Sequence, residues 1–102
     1  MSAPKARLLK NGEITEVDYD ELQIDDEIVI QAGDELPADA KVTESKGLEL
    51  NESMLTGESA SVEKKVGDTV LAATTVLAGE GMARVIAIGD DTKAGTILRF
   101  QS

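Results

Sequence analysis

Turn signals recur at short intervals along this chain, and the stretches between them suit strands rather than helices. Asn11-Gly12, Gly33-Asp34, Lys46-Gly47, Gly67-Asp68, Gly79-Glu80-Gly81 and Gly89-Asp90 divide the sequence into pieces rich in Val, Ile and Leu. Parallel strands need crossovers of a dozen or more residues, and these connections are too short for that. Apolar residues make up 41% of the 102, with one Phe, one Tyr and no Trp. A core without large rings must be built from branched aliphatics, which favour strands. The length suits one small domain with one core. Many short strands and at most one helix predict a small closed or sandwiched β-fold.

The pieces can be placed in order. Asn11-Gly12 between Ala6–Leu9 and Ile14–Val17 predicts a hairpin, because both turn residues tolerate positive φ. Ile28-Val29-Ile30 reads as a buried strand. Pro37 opens an extended piece through Thr43, Lys46-Gly47 breaks it, and Leu48-Glu49-Leu50 alternates like a half-buried strand. Thr69 to Leu77 reads as one long strand, and Gly79-Glu80-Gly81 as the turn to a return strand from Met82 to Ile88. Thr92 is placed to cap a short helix over 93–100. In the three Gly-Asp pairs, glycine supplies the bend and aspartate is expected to bond the next backbone N–H.

Composition excludes several chemistries. There is no Cys and no His, so Cys/His zinc sites, disulfides, thiol catalysis and imidazole catalysis are ruled out. Proton transfer falls to Asp or Glu. The lack of Cys fits a reducing, cytosolic setting. A net charge of −10 repels phosphate backbones and argues against nucleic acid as a partner. No apolar run is long enough to cross a bilayer, and Met1 to Lys5 carries no signal-peptide pattern. The acidic stretch 18–27 does not fit a calcium loop. Counted from Asp18, the sixth and twelfth positions hold Gln23 and Val29, where glycine and glutamate are required. It reads as a solvated connector.

Leu55-Thr56-Gly57-Glu58-Ser59 is the stretch with chemical promise. Gly57 frees the backbone to bend, and Thr56 and Ser59 can bond local backbone groups. Together they would hold the Glu58 carboxylate at a loop tip. A Gly-Glu-Ser triplet by itself is an ordinary solvated turn; its flanks change the reading.

Those flanks resemble one family. Gly33-Asp34-Glu35-Leu36-Pro37-Ala38-Asp39 is similar to the pattern GDxxPAD, and Leu50 to Ser59 to VDESxLTGES. Val62-Glu63-Lys64 followed by Gly67-Asp68-Thr69-Val70 is similar to VxK and GDxV, and Gly89 to Ile97 to TGxxTxxGxI. The four occur in family order over about residues 22–98 and resemble the actuator domain of P-type cation-transporting ATPases. Departures are local: Asp25, Ala40 and Ala73 stand where glycine is common, and Ser61 where proline is.

The resemblance implies a mainly β, distorted jelly-roll or double-stranded β-barrel-like domain over 1–102 with a short C-terminal helix, excised from a larger membrane pump. In that family ATP phosphorylates an aspartate in a separate domain. The TGES loop then enters that site, so Glu58 would orient and deprotonate the hydrolytic water. Thr56 and Gly57 would shape the loop near the phosphate, and Ser59 would anchor the turn. Gly33, Asp34, Pro37 and Asp39 would form a structural motif bracing the fold near that loop, with no metal site in the chain. The chain has neither DKTGT nor GxxxxGKS/T, so Mg2+ and ATP are implied for the parent's other domains and the chain alone is expected inactive. Implied partners are the phosphorylation and nucleotide-binding domains and the membrane helices of the same pump, which would make this a cytoplasmic domain of an integral membrane protein. The excised domain is expected to be monomeric and not itself inserted in the bilayer. A loop ending in serine rather than proline leans away from heavy-metal pumps, with calcium mildly favoured.

Two other readings compete. One is a non-enzymatic acidic β-module binding a cation or a basic partner through residues 18–27. The other is a free-standing hydrolase using Glu58 with Asp39 or Glu52, which the absence of a recognisable nucleophile or metal set opposes. Glu52, beside Asn51 and Ser53, reads as a hydrogen-bonded strand end, and Lys64-Lys65 as a solvated turn.

Overall fold

A computed structural model describes residues 5–53 and 61–92. Seven strands run in the order β1 (Lys5–Lys10), β2 (Glu13–Asp18), β3 (Glu27–Gln31), β4 (Asp39–Asn51), β5 (Ser61–Glu63), β6 (Thr69–Val70) and β7 (Thr75–Ala87). They form one antiparallel sheet ordered β2-β1-β3-β7-β4-β5, with β6 also paired to β4. The fold is mainly β, as expected, but the sheet is not closed: β2 and β5 end its strand order. The helix expected over 93–100 lies outside the described residues.

The hairpin at Asn11-Gly12 forms as read. Asn11 and Gly12 have φ of 54° and 80°, and Lys10 pairs with Glu13. Alternation then sets the inner face. Ile28 and Ile30 of β3, Ala40, Val42, Leu48 and Leu50 of β4, and Val76, Ala83 and Val85 of β7 are buried in one cluster. Each fully buried Leu, Ile or Val stabilises the fold by about 1.5–3 kcal/mol.

Three boundaries differ from the sequence reading. β4 runs unbroken through Lys46-Gly47, where the ladder jumps from Lys46↔Glu80 to Glu49↔Ala78; Gly47, at φ 66°, marks a bulge rather than an end. Gly79-Glu80-Gly81 is no turn and lies inside β7. A Cβ on Gly79 would sit 2.2 Å from the Gly47 carbonyl oxygen, and one on Gly81 would sit 2.3 Å from that of Glu44. Glycine is needed there because two backbones approach closely. The expected long strand 69–77 is cut by a turn over 71–74, where Ala73 takes φ 70°.

These bulges curl the sheet. A straight strand as long as β4 would span about 40 Å. Instead one short segment meets both of its ends. The Ala72 N–H donates to Asp39 Oδ1 at 2.8 Å, and Thr75 pairs with Asn51. The first and last residues of β4 are thereby brought to the same side of the molecule.

Candidate functional site

Residues Thr56, Gly57, Glu58 and Ser59 lie outside the described residues, but the stem that carries them is described on both sides. The outgoing side is the end of β4, with Leu48 and Leu50 buried in the core. It is paired with β7 through Leu50↔Val76 and Asn51↔Thr75, and with β5 through Glu49↔Glu63, Leu50↔Val62 and Asn51↔Ser61. At Asn51 the side-chain oxygen accepts the Ser53 N–H at 2.8 Å, an Asx-type bend that turns the chain out of the strand.

The returning side is fixed at Lys64. Its N–H donates to the Leu48 carbonyl at 2.8 Å, and its carbonyl accepts the Ser45 hydroxyl at 2.7 Å. Its Nζ lies 3.2 Å from Glu52 Oε2, with side chains only 13% and 14% exposed. The expectation of a solvated Lys64-Lys65 turn therefore holds for Lys65 alone. Sequence reasoning does not reach the pairing of Lys64 with Glu52; the one hint is that an acid and a lysine flank the loop.

The Gly33–Asp39 motif forms a second structure beside this stem. Gly33 has φ 94° in a turn whose ends are tied twice: the Gln31 N–H donates to Asp34 Oδ2 at 2.9 Å, and the Asp34 N–H to the Gln31 carbonyl at 3.0 Å. Lys65–Asp68 repeats this arrangement, as does Gln23–Asp26, where Asp25 takes the glycine position at φ 76°. The aspartate thus accepts from the residue three before it, not from the next N–H as expected. Asp34 also pairs with the Arg7 guanidinium.

Beyond that turn, Leu36 exchanges backbone bonds with the 71–74 turn, and Glu35 bridges to Thr75. Pro37 is half-buried and leads into buried Ala38. Asp39 is 7% exposed and accepts from Ala72. The motif therefore grips segment 71–75, the same segment that pairs with Asn51 at the root of the loop. Tyr19 closes a cleft at this end, donating from its hydroxyl to the Glu35 carbonyl at 3.3 Å. Burial, then the charges of Glu35 and Asp34, raise its phenol above the ordinary value.

The acidic stretch 18–27 spends several of its groups on local bonds. Glu21 accepts the Asp18 N–H, Asp26 accepts the Gln23 N–H, and Asp18 pairs with Lys5 at 3.2 Å. Among the described residues no three acids gather where they could hold a metal ion.

The family model of the P-type ATPase actuator domain matches residues 1–101. The chain belongs to the P-type ATPase actuator-domain family. It is 39% identical over 100 residues to the probable copper-exporting P-type ATPase V of Mycobacterium tuberculosis, covering 98% of this chain and 13% of that protein. It is 38% identical over 112 residues to calcium-transporting ATPase 1 of Lactococcus lactis, again 98% and 13%. Among solved structures, one crystal structure of a zinc-transporting PIB-type ATPase superposes with TM-score 0.86 at 34% identity, covering 97% of this chain and 16% of that one. A crystal structure of such an ATPase in another state gives 0.84 at 35% identity, covering 95% and 16%. The actuator chain thus spans about an eighth of the length of these curated relatives. Copper and calcium transporters stand at nearly equal identity, so overall likeness does not separate the two. No helix among the described residues is long and apolar enough to cross a membrane.

Proposed function

We propose that this actuator domain delivers Glu58 to an aspartyl phosphate formed in the phosphorylation domain of the same pump. The observation that carries the reading is the anchoring of both flanks: buried β4 precedes residues 54–60, and the tethered Lys64 follows them. Family membership supplies the substrate. Glu58 accepts a proton from a water whose oxygen attacks phosphorus. The bond from phosphorus to the aspartyl oxygen breaks, releasing inorganic phosphate and a free aspartate. Thr56 and Gly57 shape the loop against the phosphate, and Ser59 holds the turn.

Positioning dominates such transfers, so a single carboxylate brought within about 3 Å of the water has large leverage. A carboxylate is repelled by a phosphate unless cations compensate. Mg2+ held in the phosphorylation domain supplies that compensation, and ATP is bound elsewhere in the pump. Docking therefore occurs only when the partner site is set for hydrolysis, which makes rotation of this domain the switch that couples ATP use to cation transport. The domain works on the cytoplasmic side of a membrane pump, against the phosphorylation and nucleotide-binding domains and the membrane helices. Gly33, Asp34, Pro37 and Asp39 serve as scaffold.

Glu58→Gln in the full-length pump tests this. Steady-state ATP turnover should fall by about a hundredfold or more while phosphoenzyme accumulates. Unchanged turnover would remove Glu58 from the reaction.

A further inference from the structure

β2 ends the strand order of the sheet, and its register with β1 decides which of its backbone groups stay free. Across the two-residue turn at Asn11-Gly12, Lys10 and Glu13 exchange both backbone hydrogen bonds, and bonded and non-bonded pairs then alternate. Glu13, Thr15 and Val17 therefore turn their N–H and C=O groups toward β1. Ile14, Glu16 and Asp18 turn theirs to the open side. There the Asp18 N–H is capped by Glu21 Oε1 at 3.1 Å. Among the described residues no strand pairs with Ile14 or Glu16 on that side. Residues 13–16 are all exposed, Ile14 at 58%.

The charges around this edge are unbalanced. Lys5 and Arg7, on the same face as Glu16, are already paired with Asp18 and Asp34. Among the described residues Glu13, Glu16 and Glu35 have no ion pair. Glu16 and Glu35 line one cleft of about 290 Å³, with Tyr19 and Val29 in its wall. We propose that the open side of β2 takes an extended, basic segment of a protein partner as an added strand, hydrogen-bonded at Ile14 and Glu16, with an arginine or lysine side chain set beside Glu16 and Glu35. Main-chain bonds along the edge supply affinity, and the acids choose the partner. A second copy of this chain fits poorly, because each copy carries a net charge of −10. The acids thus guard the edge against pairing between copies while leaving it open to a strand of opposite charge.

The test follows amide hydrogen exchange by NMR in the 102-residue chain. The probes are a short peptide of alternating arginine and threonine and a matched peptide of alternating glutamate and threonine. Without peptide, the Thr15 and Val17 amides should be protected while those of Ile14 and Glu16 exchange freely. At saturation the basic peptide should slow exchange at Ile14 and Glu16 by about tenfold or more and shift the Glu35 resonance. The acidic peptide should do neither. Ile14→Pro removes an outward donor and spares the ladder to β1, whose bonds belong to neighbouring residues. It should weaken binding of the basic peptide about tenfold. Glu16→Lys keeps the edge and reverses an exposed charge, and should weaken that binding about fivefold; it decides the matter even where Ile14→Pro fails to fold. No binding of the basic peptide overturns the proposal. Binding without protection of Ile14 and Glu16 overturns the added strand, and equal binding of both peptides overturns the basic partner. Protection that arises without peptide and grows with chain concentration assigns the edge to a second copy and likewise overturns it.

Discussion

Ala73 holds φ at 70° in the 71–74 turn, a conformation that crowds the Cβ of any L-residue against its own backbone. Its turn is nonetheless closed by the Thr74 hydroxyl and N–H, both donating to the Leu71 carbonyl. Ala73→Gly should therefore stabilise the domain by about 1 kcal/mol, read as a higher urea midpoint at unchanged slope. Asp25→Gly, at φ 76°, should gain less, since Asp tolerates this region better than Ala. A lower midpoint for Ala73→Gly would contradict the account of the turn. Asp39 makes the opposite prediction. Asp39→Ala leaves the Ala72 N–H without its buried acceptor and should cost about 1–3 kcal/mol in the same assay. Tyr19 adds a pH dependence. Its phenol is raised above 10.0 in the folded state, so the folded protein keeps a proton that the unfolded chain releases. The associated stability is full below about pH 10 and is lost as pH rises toward the folded value. Tyr19→Phe should flatten that alkaline decline, and an unchanged slope would show that another group causes it.

Among the elements, the glycines of β7 matter most. Gly81→Ala would place a Cβ 2.3 Å from a backbone oxygen of β4, and neither backbone can yield without breaking the ladder. A loss of about 2–3 kcal/mol is expected, measured by thermal or urea unfolding; a neutral result would mean that β4 and β7 do not approach as described. The same glycines explain what is legible in the sequence. The Asn11-Gly12 hairpin can be read because its signal is local: two residues that tolerate positive φ between two apolar runs. Gly79-Glu80-Gly81 carries an equally strong local signal, and it misleads. Glycine serves a turn or a close backbone approach alike, and only the partner strand decides which. Conversely, the turn at Ala73 escapes a sequence reading because alanine carries no turn signal. The two exposed apolar residues of β7, Leu77 and Ile86, each follow a buried residue, Val76 and Val85, so the period-two alternation of the strand turns them away from the core.

For the whole molecule, curling of the sheet converts a linear motif order into a spatial one. Gly33–Asp39 and the root of the loop at Asn51 are joined through segment 71–75, although β4 separates them along the chain. The loop and its scaffold motif are recognisable in the sequence as patterns, but the Glu52–Lys64 link is not. It depends on how β5 folds back on β4, which no spacing rule encodes. The transported cation is not legible either: copper and calcium transporters are nearly equally similar to this chain, as expected if, as proposed, this domain serves phosphate chemistry rather than the cargo. The most direct test of that division of labour is a single-turnover chase of phosphoenzyme in the full-length pump carrying Glu58→Gln. Formation from ATP should match the parent while decay slows by about a hundredfold or more. Decay at the parent rate would contradict the claim that this domain supplies the hydrolytic carboxylate.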